Sequence, residues 1–439
     1  MANDVLGLVS LFVAVLGVLS GFPMAFIFVF VALVFGYAGI GHQVFYLLTY
    51  QFFGLMTNVE LASIPLFLFM GYILEQSGLM DRMFGALRLM LGNTKGALYI
   101  IVMIVATIFA AATGIVGASV TVLGVMAAPM MIRSGYDTRL SAGTIAAGGT
   151  LGILIPPSVM LIVMGPLVGV PISDLFAAAI IPGLMLSFLY LLYAVVRCHI
   201  NPSLGPTLGA EIGKYSAGDK LRELALGVIP IATVIMATLG LILAGITTPT
   251  DAAATGAFAS FVLSLAYGRM GVGKFINAVF RTMETTAFIM FLIGAANFFG
   301  AVFARLGSGR LITNYLTDLS ASPTVMLVLM LLLIFALGGP LEWIPVVLVI
   351  VPILLPIVKH LGIDMLWFSI LVAVTLQSSW LTPPMALSSY FLKGVVPQWS
   401  MKDIYLGMLQ FVFLQAIVVA ILIKFPYLVT WLPSVTGLQ

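Results

Sequence analysis

Residues 154–158 read Leu-Ile-Pro-Pro-Ser, and residues 381–385 read Leu-Thr-Pro-Pro-Met. Each proline pair lies inside an apolar stretch, and the two pairs are 227 residues apart. Other residues recur at the same separation, or one residue short of it: Pro129 with Pro356, Gly135 with Gly362, Asp137 with Asp364, and Pro23 with Pro249. Proline removes a backbone donor and clashes with the carbonyl one turn earlier. Each copy therefore predicts an interrupted helix, in a chain built as two similar halves.

The composition indicates a membrane protein. Apolar residues make up 62% of the chain, charged residues 8%, and the mean hydropathy is +1.22, whereas soluble domains carry about 25% charged residues. The single cysteine, Cys198, excludes a disulfide framework or a thiolate cluster, and three scattered histidines disfavour a histidine metal site. A net charge of +3 gives no indication of nucleic-acid binding. The N-terminus lacks a basic segment and a small-residue cleavage site, so we expect no cleavable signal peptide.

The apolar stretches predict five crossings in each half, since about 20 apolar residues span a bilayer. In the first repeat, residues 1–200, they lie at 5–20, 23–40, 60–77, a broken helix at 140–169, and 175–197. In the second repeat, residues 222–439, they lie at 222–244, 249–267, 284–304, a broken helix at 366–392, and 405–425. The polar residues 201–221 are predicted to be a cytoplasmic linker, and amphipathic segments are predicted at 80–93 and 308–319.

Each half also contains a predicted re-entrant hairpin. The first covers about 98–133 with its tip near Thr113 and Gly114, and the second covers about 324–359 with its tip at residues 338–342. The apolar arms are too short and too abruptly turned for two ordinary crossings. Unpaired backbone at such a tip is tolerated in a membrane only where it is buried in protein or lines a water-filled cavity.

The parity of the crossings predicts that the second half is inverted relative to the first. With the N-terminus outside, 14 of the 18 Lys and Arg residues fall in inside loops and four fall outside. This asymmetry is what the positive-inside rule requires. We therefore expect an all-α polytopic membrane protein with two inverted repeats and both chain ends outside, an organisation typical of secondary transporters.

Helices that are interrupted inside a membrane expose carbonyl groups at one break and N–H groups at the other. The carbonyls can coordinate a sodium ion, and the positive N–H end can meet a carboxylate. Hairpin-tip residues are the expected cation partners: Thr113, Gly114, Gly117 and Ser119, and Gly338, Gly339 and Glu342. We expect the substrate at the breaks: Pro156, Pro157, Ser158, Ser379, Pro383, Pro384 and Ser388. Kinks retained for packing, and glycines that allow close helix contact, are the alternatives.

The acidic residues have different predicted roles. Glu342 is a functional candidate because it lies at membrane depth, where it could bind a cation, carry a proton or face water. Glu60 and Glu284 are interpreted as caps at the start of the third crossing of each half, and Asp137, Asp251 and Asp364 as helix caps or turn residues. No membrane-embedded Arg or Lys is predicted beside either broken helix. No nucleophilic constellation or phosphate loop occurs, so we expect neither an enzyme nor an ATPase.

The chain resembles the large membrane (M) subunit, DctM-like, of the tripartite ATP-independent periplasmic (TRAP) transporters. In the first half the likeness rests on Ala-Thr-Gly-Ile-Val-Gly-Ala-Ser at 112–119, Arg-Ser-Gly-Tyr-Asp at 133–137, and Gly-Thr-Leu-Gly-Ile-Leu-Ile-Pro-Pro-Ser at 149–158. In the second half it rests on Leu-Thr-Pro-Pro at 381–384 and Tyr-Phe-Leu-Lys-Gly-Val-Val-Pro at 390–397. The likeness covers essentially the whole chain.

The resemblance implies import of an organic acid, such as a C4-dicarboxylate, a 2-oxo acid or a similar carboxylate, across a bacterial inner membrane. It implies sodium as the coupling ion with no other cofactor, an elevator-type fold of the ion transporter superfamily, and two partners. These are a separate small four-helix membrane (Q) subunit and a periplasmic substrate-binding (P) protein. The family's sodium sites map to Gly114, Gly117, Ser119, Gly149, Thr150 and Gly152, and to Gly338, Glu342, Thr375, Ser378 and Thr382. Members of the family often have Asp where this chain has Glu342.

Two other functions fit the sequence. A stand-alone carboxylate or arsenite carrier, coupled to sodium or protons, would share the fold without needing a binding protein. A passive channel could also use two hairpins and helices broken at mid-membrane. An intramembrane enzyme is disfavoured because the chain lacks an acid pair, a His-Glu motif and a Ser/His constellation. The substrate, the sodium stoichiometry and the oligomeric state do not follow from the sequence.

Overall fold

A computed structural model describes residues 2–114, 116–208, 216–317 and 322–437. Throughout these residues the secondary structure is helical, with no strand. Helices satisfy their own backbone hydrogen bonds, which is why an apolar chain in a membrane adopts them. Among these residues, seven helical segments are long and apolar enough to cross a membrane, or up to eight if a bent pair counts as one span. Three of the seven, Val116–Arg133, Pro323–Leu341 and Trp343–His360, are arms of the predicted hairpins, so the expectation that these arms are too short to cross is wrong on length. The prediction of an all-α polytopic membrane protein is confirmed.

The first half contains ten α-helices among the described residues. They are α1 (Ala2–Leu19), α2 (Met24–Ile40), α3 (Gln43–Met56), α4 (Ser63–Gln76), α5 (Leu79–Leu91), α6 (Ala97–Thr113), α7 (Val116–Arg133), α8 (Thr138–Thr150), α9 (Val159–Val168) and α10 (Ile172–Ile200). A 3₁₀ turn at Glu60–Ala62 leads into α4, and another at Leu151–Ile153 follows α8.

The second half contains twelve α-helices in the part of the chain that is described. They are α11 (Ala217–Ile235), α12 (Leu241–Leu243), α13 (Pro249–Ala266), α14 (Val272–Leu306), α15 (Ser308–Thr317), α16 (Pro323–Leu341), α17 (Trp343–Pro345), α18 (Val351–His360), α19 (Met365–Leu376), α20 (Leu387–Val395), α21 (Met401–Lys424) and α22 (Tyr427–Thr436). Single π-helical segments at Met236–Gly240 and Val346–Ile350 join α11 to α12 and α17 to α18.

Several elements of the two halves recur at the separation seen in the sequence. The helix α8 begins at Thr138 and α19 at Met365, 227 residues apart, and α7 and α17 begin at Val116 and Trp343, also 227 apart. Asp137 and Asp364 cap α8 and α19, since their carboxylates accept hydrogen bonds from the backbone N–H of Leu140 at 2.8 Å and of Trp367 at 2.7 Å. The predicted cap roles of these two residues are confirmed.

Two helices were not predicted, and one begins earlier than expected. The helix α3 precedes α4 with a bend of 60°, and α22 follows the last crossing. The third crossing of the second half was predicted to begin at 284, but α14 begins at Val272. Glu284 therefore lies inside a 35-residue helix and is not an N-terminal cap. The polar residues Lys274 and Arg281 had suggested a loop here, whereas both belong to α14.

Asp251 and Glu60, which were predicted to be caps, lie in the first turn of a helix, and the N-cap positions are Thr248 and Val59. Thr248 is the N-cap of α13, and its hydroxyl donates to the Asp251 carboxylate at 2.7 Å. Glu60 opens the 3₁₀ turn before α4, and its N–H donates to the Asn58 side chain at 3.0 Å.

The start of the predicted linker is fastened to the base of the α6–α7 hairpin. The Gly96 N–H donates to the Gly205 carbonyl at 2.8 Å, and the Asp137 N–H donates to the Leu204 carbonyl at 3.0 Å. Burial at this base raises the pKa of the Tyr136 phenol to about 12, so Tyr136 stays neutral at physiological pH. The middle of the predicted linker, residues 209–215, lies outside the described residues.

Two groups of helices pack extensively within themselves, and contacts such as those of α4 with α6 and of α14 with the π-helical segment Val346–Ile350 join the groups. The first group joins α4 to α13 and α14, and α2 to α14. The second group joins α8 to α21, α10 to α19, and each hairpin to the broken helix that follows it. Glycine permits the closest approach in the second group: a Cβ on Gly407 of α21 would lie 2.1 Å from the Arg139 carbonyl oxygen of α8. Small residues at helix interfaces are usual in membranes.

Candidate functional site

The tip of the first hairpin lies against the first broken helix. Gly114 follows α6 with a φ of 63°, and a Cβ at this position would lie 2.4 Å from the Pro157 carbonyl oxygen. Only glycine combines this left-handed backbone with so close an approach. The other tip residue, Ile115, is outside the described residues. The tip therefore reaches the predicted break.

The first break begins where α8 ends at Thr150. The 3₁₀ turn follows, the Pro156–Pro157 peptide is cis, and Ser158 caps the new helix α9 by accepting a hydrogen bond from the Leu161 N–H. The Ser158 hydroxyl itself donates to the Ile153 carbonyl. The interruption predicted from the proline pair is present, and it contains a 3₁₀ turn and a helix N-terminus capped by Ser158.

The second hairpin meets the second broken helix in a similar way. A Cβ on Gly339 would lie 3.2 Å from the Pro383 carbonyl oxygen, and the Pro383–Pro384 peptide is also cis. Glu342 ends α16 with a φ of 63°, which a residue with a side chain rarely adopts, and its N–H donates to the Gly338 carbonyl at 2.9 Å. Its side chain is 8% exposed. Within the described residues, the Glu342 carboxylate makes no hydrogen bond or ion pair.

The two breaks also contact each other. The Gln377 side-chain amide donates to the Thr150 carbonyl at 3.3 Å, and these residues are 227 positions apart. Gly117 of the first hairpin packs against the Phe391 ring of α20, since a Cβ there would lie 2.9 Å from that ring. Both hairpin tips and both broken helices therefore converge on one region.

The buried hydroxyls in this region mostly donate to carbonyl groups of their own helices. Those that do so over three or four residues are Thr113, Thr150, Thr375, Ser378, Ser379 and Thr382. A hydroxyl that donates its proton keeps oxygen lone pairs for a cation. Ser388 is buried, and its hydroxyl has no partner among the described residues. Ser119 is buried on α7 in the same region.

Oxygen atoms of this kind suit sodium, a hard cation. The described residues contain no group of three or more His, Cys, Asp or Glu side chains that could hold a metal ion. A sodium ion here would be held by backbone carbonyls and hydroxyls, with Glu342 as the nearby carboxylate.

A cavity of about 400 Å³ opens between the hairpin tips and the helices α4 and α14. From the predicted site it is lined by Gly114, Gly117 and Glu342, and Trp380 and Phe391 of the second broken helix form part of its wall. Other predicted residues are buried and do not line this cavity: Gly149, Thr150, Gly152, Pro156, Pro157, Ser158, Gly338 and Ser379. Pro383 and Pro384 are exposed and do not line this cavity.

The helices α4 and α14 contribute four polar residues to the cavity wall that were not predicted. They are Tyr72 and Glu75 of α4, and Arg281 and Thr285 of α14. The Arg281 guanidinium Nη1 lies 2.8 Å from a Glu75 carboxylate oxygen, and its Cζ lies 5.7 Å from the centre of the Tyr72 ring. The Tyr72 and Thr285 hydroxyls are 2.7 Å apart. Glu75 and Arg281 are 206 residues apart, so no local pattern in the sequence could pair them.

Arg281 corrects the expectation that no membrane-embedded Arg or Lys lies beside the broken helices. It shares the cavity with Ile153 and Val159, which flank the first break, and with Trp380 of the second. The sequence placed Arg281 in an inside loop because the start of α14 is polar. In the structure Arg281 lies in the third turn of a long helix.

The sequence comparisons agree with one another. A family model described as "Tripartite ATP-independent periplasmic transporter, DctM component" matches residues 8–428. The chain is 30% identical over 351 residues to the C4-dicarboxylate TRAP transporter large permease protein DctM of Pseudomonas aeruginosa, covering 79% of this chain and 80% of that protein. It is 28% identical to the sialic acid TRAP transporter large permease protein SiaM of Vibrio cholerae, covering 94% and 95%.

The fold is also similar to a solved transporter. The crystal structure of the YdaH transporter of Alcanivorax borkumensis superposes with a TM-score of 0.63 and 18% sequence identity, covering 89% of this chain and 90% of that chain. At this identity the likeness concerns the fold alone. The two relatives are named as transporter permeases and not as enzymes, which confirms the prediction that this protein is not an enzyme. The family match over most of the chain and the Pseudomonas relative show that the chain belongs to the DctM component family of tripartite ATP-independent periplasmic transporters.

Proposed function

We propose that this permease imports an organic acid by sodium-coupled secondary active transport with an elevator mechanism. The observation that carries the proposal is the cavity between the two hairpin tips, with both broken helices behind it and α4 and α14 in front. A volume of about 400 Å³ is within the usual range for a small-molecule site. A C4-dicarboxylate, a 2-oxo acid or a similar carboxylate is the proposed substrate.

Sodium is the proposed coupling ion because the oxygen groups at each hairpin tip face a helix break. The first site would use carbonyls and hydroxyls of Gly114, Gly117, Ser119, Gly149, Thr150 and Gly152, with Thr113 beside them. The second would use Gly338, Gly339, Glu342, Thr375, Ser378 and Thr382. The approach of Gly114 to the Pro157 carbonyl and of Gly339 to the Pro383 carbonyl supports these two groupings. A bound cation would also offset the charge of Glu342 near an anionic substrate.

Two inverted repeats are proposed to build these sites, with both chain ends in the periplasm. The recurrence of helix starts at 227 residues supports the duplication. So does the hydrogen bond between Gln377 and Thr150, which occupy equivalent positions in the two halves. The distribution of Lys and Arg supports the orientation.

The elevator proposal rests on the two groups of helices that pack extensively within themselves. The hairpins and broken helices would move as a transport unit, carrying substrate and ions. The helices α2, α4, α13 and α14 would form the fixed scaffold, since they pack on one another. The cavity lies where the two groups meet, and movement of one past the other would change the side to which it opens.

The proposed partners are a separate four-helix membrane subunit and a periplasmic binding protein. The helices α2 and α3 carry large exposed aromatic side chains, including Phe30 at 67% and Tyr46 at 80% exposure. In a membrane such a surface contacts lipid or another membrane subunit. We place the small subunit on this surface.

Reconstituted uptake tests the proposed function. The permease, the small subunit and the binding protein are placed in liposomes, with a panel of C4-dicarboxylates, 2-oxo acids and other carboxylates outside. We expect concentrative uptake of at least one acid that requires an inward sodium gradient, and no uptake by the permease alone. Robust uptake by the isolated permease would contradict the tripartite model, and equal uptake with potassium in place of sodium would contradict sodium coupling.

A further inference from the structure

Arg281 and Glu75 lie in the wall of the central cavity, between the proposed scaffold and the hairpin tips. A charged side chain within a membrane-spanning helix carries a large cost, so its presence there indicates a function. An ion pair that only joined α4 to α14 would need no opening to the cavity. Yet the Arg281 side chain is 47% exposed, whereas that of Glu75 is 16% exposed.

The contact between the two residues leaves both groups incompletely satisfied. A single guanidinium nitrogen, Nη1, contacts one Glu75 oxygen, and the other oxygen is buried without a partner among the described residues. The pair between Arg82 of α5 and Glu223 of α11 is different. There Nε and Nη2 each donate at 3.1 Å to a separate carboxylate oxygen. The Arg82–Glu223 pair has the bidentate geometry typical of a strong structural ion pair. The Arg281–Glu75 pair does not.

We propose that the Arg281 guanidinium binds a carboxylate of the transported acid, and that Glu75 occupies this guanidinium in the empty protein. The inference rests on the proposed function and adds the residue that recognises the substrate's charge. Arg281 has five N–H donors and uses one of them on Glu75. The Arg281 guanidinium can therefore bind a substrate carboxylate in a bidentate manner. Glu75 is then either displaced or stays bound at one edge of the guanidinium.

The rest of the cavity fits a bound acid in this position. The Tyr72 ring lies against the guanidinium, and the Tyr72 and Thr285 hydroxyls add polar groups beside it. The Trp380 and Phe391 rings, stacked with centroids 6.3 Å apart, offer an apolar wall for the carbon skeleton. Glu342 lines the cavity from the second hairpin tip, and among the described residues of the cavity wall Arg281 is the cationic side chain to which the acid's carboxylate can bind. The substrate class is accordingly a small acid with at least one free carboxylate.

Uptake kinetics of charge-neutral variants test this role. The complete reconstituted transporter is measured with the panel acid that it transports best, at saturating sodium. We expect Arg281→Gln to raise the KM for the acid roughly 10- to 100-fold, the loss typical of a hydrogen bond to a charged group. Arg281→Lys should lie between Arg281→Gln and the wild type. The sodium concentration for half-maximal uptake should stay unchanged in both variants, since neither touches the proposed ion sites.

A structural role is separated from a binding role by a double variant. Glu75→Gln with Arg281→Gln removes both charges together and leaves two amides that can still pair across α4 and α14. If the double variant regains the wild-type KM, Arg281 only neutralises Glu75 and the inference is wrong. If it keeps the raised KM, the guanidinium itself binds the substrate. Glu75→Gln alone should lower the KM or leave it unchanged, because a competing carboxylate is removed.

Arg82→Gln is the matched control, because it removes an arginine from an ion pair outside this cavity. We expect a lower yield of folded protein with an unchanged KM. The two levels of the proposal fail in different ways. Absence of any acid uptake by the wild-type complex overturns the proposed function and this inference with it. Wild-type uptake together with a normal KM in Arg281→Gln overturns the inference alone.

Discussion

Gly114 shows how one residue can fix the position of a hairpin tip. Its backbone is left-handed, and no side-chain atom fits between it and the Pro157 carbonyl. The same residue lines the cavity. Glycine is therefore needed here because the backbone is left-handed and because the hairpin tip lies so close to the broken helix.

Replacing Gly114 by Ala should abolish most uptake while the protein still inserts in the membrane. The added Cβ would lie 2.4 Å from a carbonyl oxygen, so the tip must move away from the break. Gly85→Ala is the control, because nothing lies within 4 Å of the Cβ that it adds on α5. Uptake and detergent-solubilised yield are measured for both. Normal uptake by Gly114→Ala would mean that the tip need not touch the break.

The site residues that could be predicted from the sequence are those whose local sequence context is unusual. Gly114, Gly117 and Glu342 were predicted because glycines and an acid at a hairpin tip are unusual within apolar stretches, and all three line the cavity. Glu75 and Arg281 were missed because each looks like an ordinary charge near a helix end. Glu75 and Arg281 form a pair only because α4 packs against α14, and their spacing along the chain does not predict this contact.

At the scale of elements, the broken helices were predictable because their cause is contained in a few residues. A proline pair cannot continue a helix, and an Asp followed by an apolar run marks where a new helix begins. The helix α3 was missed because Gln43, Thr49, Tyr50 and Gln51 dilute its apolar character. The start of α14 was missed for the same reason, since Lys274 and Arg281 are charged residues in a helix that spans 35 positions.

The N-cap of α19 provides a test at this scale. Asp364 accepts a hydrogen bond from the Trp367 N–H at 2.7 Å, and loss of such a cap costs about 1 kcal/mol. We expect Asp364→Ala to lower the thermal unfolding midpoint of the detergent-solubilised protein. Asp364→Asn should keep the midpoint close to that of the wild type, since Asn caps a helix as well as Asp does. Equal losses in both variants would assign the effect to the negative charge rather than to the cap.

At the scale of the whole molecule, the number of crossings and the placement of Lys and Arg give one predicted orientation. Lys95 precedes the first hairpin and Thr324 opens the second, and both side chains are exposed. If the halves are inverted, these two positions lie on opposite sides of the membrane. The helix bounds alone are compatible with either direction of insertion, so the direction depends on the charge argument.

Single-cysteine labelling checks the orientation. In a Cys198→Ala background, Thr324→Cys should react with a membrane-impermeant maleimide added from the periplasmic side. Lys95→Cys should react only after the inner membrane is permeabilised. Cys198 is the one cysteine of the chain, so the background carries no other thiol. The reverse labelling pattern would show that the protein is inserted in the opposite orientation. Labelling of both positions from one side would contradict the inverted repeat.

The side-chain amide of Gln377 donates a hydrogen bond to the Thr150 carbonyl, so the breaks in the two broken helices are in direct contact. A ligand that draws this carbonyl toward itself must loosen the amide, and the amide belongs to the opposite half of the chain. If sodium binds at both proposed sites, loading of one site would be transmitted to the other through this side chain. A carrier with one ion bound would then differ in the contact between its two broken helices from both the empty and the fully loaded carrier.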